Sequence, residues 1–217
     1  MVIAIDGPSG VGKSTVAFRV AEELELPHFD TGATYRAATV AVLEAGVAVD
    51  NVAAVLATVE PREIGFESGV ITLDGRDISR EARSEEVTAA VSAVSAIPEL
   101  RAVVVGMQRL WVAGHGGRAV VEGRDIGTVV FPDARVKVFL TARPEVRAVR
   151  RAGDTEADGR HVDDVAADLR RRDHYDSTRK VSPLRPADDA VIIDTSELGI
   201  DQVVDEILCL VAGAVSG

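Results

Sequence analysis

Gly7-Pro-Ser-Gly-Val-Gly-Lys-Ser14 follows the apolar run Val2 to Ile5 and precedes Val16, Val20 and Leu24 at helical spacing. Its glycines, lysine and serine fit G-x-x-x-x-G-K-[ST], a pattern that arises by chance in about one chain of this composition in 400. The strand before it and the helix after it supply the context the pattern needs. Each residue type has a physical reason to be there. Glycines let the backbone curl until its N–H groups face phosphate oxygens. The helix N-terminus adds a partial positive charge. Lys13 reaches the outer phosphates as a mobile point charge, and the Ser14 hydroxyl suits Mg²⁺ carried on them. Lysine is scarce, three against 21 arginines, yet one falls here.

Outward from this loop the chain alternates short apolar runs with helical stretches. Five runs, at 2–6, 27–30, 119–122, 136–140 and 191–194, qualify for one parallel sheet with crossover helices. Helices are expected over 13–24, 32–45 (stopped by Gly46), 51–59 (capped by Asp50), 98–113, 144–151, 162–176 and 200–215, and one after the cap Ser84. Ile64 to Phe66 and Val70 to Leu73 flank Glu67-Ser-Gly69, a hairpin signal, with a second turn at Asp74-Gly75. The fold expected is α/β: a phosphate-loop core over 1–49 and 96–217, with a small inserted antiparallel subdomain over 50–95. Residues 152–161, polar and rich in Gly and Asp, read as a short lid. Such sheets bind ligands beyond the carboxyl ends of their strands.

Composition narrows the function. Hydrophobic residues make up 47% of the 217, enough for a sizeable core. The net charge of −11 and the 4% of aromatic residues argue against a nucleic-acid-binding surface. The lone Cys209 allows no internal disulfide and no cysteine-based zinc site, and the four histidines are scattered. No run of 18 apolar residues and no export signal is found, so the expectation is a cytoplasmic protein without a membrane partner. No Asp has Gly three residues later and no Lys follows Asn, which argues against the guanine-nucleotide switches. Between Arg143 and Arg185, however, eleven Lys/Arg face nine Asp/Glu, a local excess of cations in an acidic chain.

A small kinase that phosphorylates a phosphate must hold two polyanions at once, and the planar forks of arginine hold phosphate oxygens bidentately. Candidates stand where the chain should reach the carboxyl edge of the sheet: Asp30 to Arg36, Glu122 to Asp125, Arg170 to Asp173, and Asp176 to Arg179. Together with GPSGVGKST at 7–15, the stretches DTGATYR at 30–36, Ser92 to Arg101, EGRDIGTVVFPDA at 122–134 and RRDHYDSTRKVSPL at 171–184 resemble the bacterial cytidylate kinases. The resemblance runs nearly the whole length.

The resemblance implies a phosphate-loop kinase fold, transfer from ATP with Mg²⁺ to CMP or dCMP, and a site that can be carried over residue by residue. ATP would lie on Gly7, Pro8, Ser9, Gly10, Val11, Gly12, Lys13, Ser14 and Thr15. Thr31, Tyr35 and Arg36 would line the monophosphate pocket, and Ser92, Arg101 and Asp125 would read the cytosine edge. Arg124, Arg172, Asp176 and Arg179 would hold acceptor phosphate and sugar. Lys13, Arg124, Arg147, Arg151 and Arg179 would act on the transferring group, with Arg150 and Arg160 also near the lid. Ser14 would carry the metal, with Glu122 acting on it through water. Relatives usually have Asp where this chain has Glu122, whose extra methylene moves the carboxylate by about 1.5 Å; Thr31 is often Ser. The chain is expected to act as a monomer.

Other readings of the same residues stay open, a guanine-nucleotide switch that binds GTP as well as ATP among them. A kinase of another small acceptor (UMP, shikimate or a sugar acid) would keep the loop and change the base-reading set. A nucleotide-binding module without turnover would need only one phosphate site. Singly, Arg172 or Arg179 reads as a surface ion-pair partner, Asp125 as a helix cap, Ser92 as a backbone-bonded serine, Trp111 as core, and Cys209 as a small buried hydrophobe.

Overall fold

The computed structural model describes residues 1–153 and 161–216. In chain order its elements are β1 (Val2–Asp6), α1 (Lys13–Glu23), β2 (His28–Asp30), α2 (Thr31–Glu44), α3 (Val52–Val59), β3 (Ile64–Glu67), β4 (Val70–Leu73), β5 (Arg76–Asp77), α4 (Glu85–Val94), α5 (Pro98–Gly114), β6 (Ala119–Gly123), β7 (Val136–Thr141), α6 (Pro144–Ala152), α7 (Val162–Thr178), β8 (Val191–Asp194) and α8 (Ile200–Ser216). A 3-10 turn covers Glu81–Arg83 and a π turn Ile126–Val130. The five runs read from the sequence form one sheet in the order β2-β6-β1-β7-β8. β1 lies parallel to β6 and to β7, and β7 parallel to β8. The hairpin signals form a separate antiparallel sheet in the order β3-β4-β5.

The chain divides into two compact units, Met1–His28 with Val112–Gly217, and Phe29–Trp111. In the first, sheet residues Ile3, Ile5, Val120, Val138, Leu140 and Ile193 pack with Val16 and Val20 of α1 and Val203, Ile207 and Val211 of α8. The central strands β1 and β6 are buried almost residue for residue and apolar almost throughout, as strands covered on both faces are. In the second, Tyr35, Ala38 and Val42 of α2 share a core with Val55 and Val59 of α3, Val94 of α4, and Leu100 and Val104 of α5. Residues 50–95 lie inside this second unit, which also takes in α2 and α5 because their apolar faces close its core. Trp111 is packed rather than presented: its ring stacks on Phe29 at 4.3 Å and its Nε1 donates to the Phe66 carbonyl at 2.9 Å.

Local signals explain most boundaries. Ser84 caps α4 by accepting from Val87 N, and Asp30 caps α2 by accepting from Gly32 N at 2.8 Å. Gly46 has φ 63°, the left-handed conformation expected just past a helix end. Two expectations are corrected. The cap of α3 is Asn51, whose side chain accepts from Ala54 N at 3.2 Å, and not Asp50. Cys209 is exposed, not buried. The buried positions of α8 are Val203, Val204, Ile207 and Val211; Cys209, two residues past Ile207, points roughly 200° away from that stripe. Among the described residues no single helix is long and apolar enough to cross a membrane.

The exposure of Cys209 is directly measurable. An aromatic disulfide reagent should modify this thiol stoichiometrically in the native protein without denaturant. Reaction only after unfolding would put that face of α8 inside.

Candidate active site

β1 ends at Asp6, the glycine loop follows, and α1 starts at Lys13. The loop passes too close to its neighbours for side chains at two points. A Cβ on Gly7 (φ 152°) would overlap the Leu140 carbonyl oxygen, and one on Gly10 (φ 80°) would lie 2.9 Å from the Arg147 carbonyl oxygen. Lys13 is buried and its Nζ donates to the Pro8 carbonyl at 2.7 Å, which holds the ammonium over the loop.

The parallel register sets Ile5 beside Glu122 and Asp6 beside Gly123, so the end of β6 meets the start of the loop. Three contacts follow. Ser14 Oγ donates to Glu122 Oε2 at 3.0 Å. Glu122 Oε1 pairs with His28 Nε2 at 3.1 Å. Arg124 Nη2 donates to Ser9 Oγ at 2.7 Å. Arg124 is held from behind, since its Nε donates to Asp176 Oδ2 of α7 at 3.1 Å. Asp176 also faces Arg179, at 3.8 Å, and the Arg179 side chain is only 5% exposed. It is therefore not the surface ion-pair partner that it reads as alone.

Helix α6 brings a second guanidinium to the same loop. Arg147, buried, donates from Nη1 to the Ser9 carbonyl at 3.2 Å and pairs through Nη2 with Asp173 of α7 at 2.6 Å. Ala148, Val165 and Leu169 seal α6 against α7 and fix that pair. Thus Lys13, Arg124, Arg147 and Arg179 gather with Ser9 and Ser14 in the first unit. Arg150 points elsewhere, bonding Thr195 through Nη1 at 2.8 Å and Nη2 at 2.7 Å. Arg151 lies in the last turn of α6 and Arg172 on α7, both half-buried. Arg160, and all of the 152–161 loop except its first two residues and its last, lie outside the described residues.

Asp125, buried just past β6, also lies in the first unit, whereas Thr31, Tyr35, Arg36, Ser92 and Arg101 sit in the second. Thr31 opens α2, buried, and its carbonyl lies 3.5 Å from Gln108 Nε2, which also donates to Thr34 Oγ1 at 2.9 Å. Arg101, 3% exposed, places its guanidinium carbon 5.0 Å from the Tyr35 ring centre and donates to the Ser95 carbonyl at 3.0 Å. Arg36 Nη1 donates to the Ala82 carbonyl at 2.7 Å and to Thr88 Oγ1 at 3.0 Å. Ser92 is half-buried on α4, where its carbonyl accepts from Ser95 Oγ.

The oxygens at Ser14 and Glu122 suit magnesium: the hydroxyl is a hard ligand at the mouth of a phosphate loop, and the carboxylate beside it would act through water. Among the described residues no group of three or more His, Cys, Asp or Glu is placed to hold a metal ion. The remaining positions around such an ion would belong to phosphate oxygens and water, as is usual for this cation.

The cytidylate kinase family model matches residues 3–212. The chain belongs to the cytidylate kinase family. A protein named cytidylate kinase from Rhodococcus jostii (strain RHA1) is 51% identical over 218 residues, covering 98% of this chain and 95% of the relative. Another from Nocardia farcinica (strain IFM 10152) is 53% identical over 222 residues, covering 100% and 95%. A third from Mycobacterium leprae (strain Br4923) is 51% identical over 213 residues, covering 97% and 95%. The crystal structure of an uncharacterized protein from Eubacterium ventriosum is similar with a TM-score of 0.56 at 13% identity, covering 98% of each chain, and bears on the fold alone.

In this member of the cytidylate kinase family, two residues that pack against the candidate site escape sequence reasoning. His28 carries no spacing signal. Asp6 reads as the last residue of a strand, yet it is buried and accepts from Ile126 N and Gly127 N, both at 2.8 Å. It clamps the π turn that follows Arg124 and Asp125. Burial pushes the Asp6 carboxyl from 3.8 up to about 6; the Asp125 charge adds to this, while the two backbone N–H groups and Lys13 oppose it.

A group raised in this way favours the protonated folded state. Its contribution to stability is fully present below the unfolded value of 3.8 and is lost as pH rises through about 6. Urea unfolding of wild type and Asp6→Asn should show the stability difference moving against wild type by about 2 kcal/mol between roughly pH 4.5 and 7.5. A difference independent of pH would contradict the shift.

Proposed function

We propose that this chain transfers the γ-phosphoryl group of ATP to the phosphate of CMP or dCMP, giving ADP and CDP or dCDP. The observation that carries the proposal is the pair of guanidinium groups converging on Ser9, Arg124 just past β6 and Arg147 from α6, each backed by a carboxylate of α7. A loop that held one nucleotide without turnover would already have Lys13 and the helix N-terminus for its phosphates. Further cations at the same loop favour a site where two polyanions meet. Membership of the cytidylate kinase family supports the choice of acceptor.

In this mechanism residues 7–15 cradle the ATP phosphates, and Lys13, Arg124, Arg147, Arg151 and Arg179 offset charge on the transferring group. Magnesium, held by Ser14 and served by Glu122 through water, would supply further charge neutralisation at the phosphate oxygens. Arg36, Arg124, Arg172 and Arg179 hold the acceptor phosphate, and Asp176 faces the ribose. Thr31 and Tyr35 line the acceptor pocket, with Ser92, Arg101 and Asp125 at the cytosine edge. Residues 50–95 act as a monophosphate-binding subdomain. No general base is needed, because the acceptor phosphate is largely dianionic at pH 7, with a second pKa of about 6. Catalysis is then positioning and electrostatic stabilisation of an in-line transfer. The reaction requires no second chain, nucleic acid or membrane.

The test is ADP release with CMP, dCMP, UMP, AMP, GMP and dTMP as acceptors. CMP and dCMP should support turnover well above the others, and Lys13→Ala should lower it by two orders of magnitude or more while the unfolding transition persists. A response to AMP alone, or unchanged turnover in Lys13→Ala, would overturn the assignment.

A further inference from the structure

We propose that His28 is a positioning residue for Glu122, holding one carboxylate oxygen so that the other serves Ser14 at the magnesium end of the phosphate loop. The proposal rests on the ATP and magnesium reading above. Glu122 stands one residue before the end of β6 and is one methylene longer than Asp. A longer side chain reaches further, but it has one more rotatable bond to hold in place. The structure resolves this by fixing both oxygens separately. Oε2 accepts from Ser14 Oγ at 3.0 Å, and Oε1 lies 3.1 Å from His28 Nε2. The Glu122 side chain is 3% exposed, so water competes little for either oxygen.

His28 is itself held. The Pro27 carbonyl, one residue earlier, accepts from Val120 N of β6 at 2.9 Å, which ties the start of β2 to the strand bearing Glu122. The Phe18 ring meets the imidazole edge-on, with centres 6.0 Å apart at 85°, and sets its orientation. A carboxylate can only accept, so Nε2 carries the hydrogen in this pair. The row His28–Glu122–Ser14 thus runs from a ring set against Phe18 to the hydroxyl that would carry the metal. An aspartate at position 122 would end about 1.5 Å short and could not span both partners. The role of His28 is therefore specific to glutamate at this position.

That dependence supplies the test. Titration calorimetry gives ATP affinity with and without Mg²⁺, and the ratio of the two isolates the metal contribution without measuring turnover. His28→Ala, and His28→Phe as a variant that keeps a ring against Phe18, should lower that ratio about tenfold, in line with the loss of groups that orient metal ligands. ATP affinity without Mg²⁺ should change less than about twofold, and His28→Gln, which keeps an N–H donor at similar reach, should restore most of the ratio. In a Glu122→Asp background the same His28 changes should move the ratio less than about twofold. Mg²⁺-responsive ATP binding that is unaltered by His28→Ala and His28→Phe, or equally altered in both backgrounds, overturns the proposal alone. Wild-type protein that binds no ATP, or binds it without regard to Mg²⁺, overturns the reading beneath it as well.

Discussion

The parallel pairing of β1 with β6 is the constraint on which the site depends. It sets Ile5 beside Glu122 and Asp6 beside Gly123, so two strands far apart in sequence end side by side. The glycine loop leaves one end and the Glu122 to Asp125 stretch leaves the other. Ser14 meets Glu122, Ser9 meets Arg124, and Asp6 holds the backbone of the turn beyond. A one-residue slip in that ladder would turn every side chain to the opposite face. The apolar packing of Ile3, Ile5 and Val120 against α1 and α8 forbids the slip and so fixes the chemistry.

The second constraint is electrostatic. An acidic chain has brought guanidinium groups into partly desolvated positions around one loop. Taking charges out of water is costly, and ion pairs seldom recover that cost as net stability. The pairs of Arg124 with Asp176 and Arg147 with Asp173 are better understood as orientation. Each carboxylate sits on α7 and fixes its arginine's fork where an arriving phosphate would find it already aimed. Such prior ordering is what makes charged groups effective at a transition state.

Much of this was legible in the sequence because the decisive signals are local. The strand–glycine loop–helix pattern, the five apolar runs, Ser84 as a cap and Gly46 as a stop each depend on neighbours within a few residues. What was hidden depends on contacts across the chain. Asp6 and His28 are brought against the site only through partners at 126–127 and 122. The π turn at Ile126–Val130 has no periodicity to reveal it, and the tertiary clamp of Asp6 holds it. Cys209 reads as buried from its apolar neighbours Leu208 and Leu210, whereas the helix buries a stripe set by its period and leaves it exposed. Arg150 belongs with its neighbours by sequence, yet its fork is spent on Thr195.

The central claim is that one site holds the phosphates of two nucleotides together, and an adenosine–cytidine conjugate joined through a five-phosphate chain tests it most directly. Steady-state inhibition should be competitive against both ATP and CMP, with an affinity exceeding that of either nucleotide. Competition with ATP alone, leaving the dependence on CMP untouched, would contradict the account.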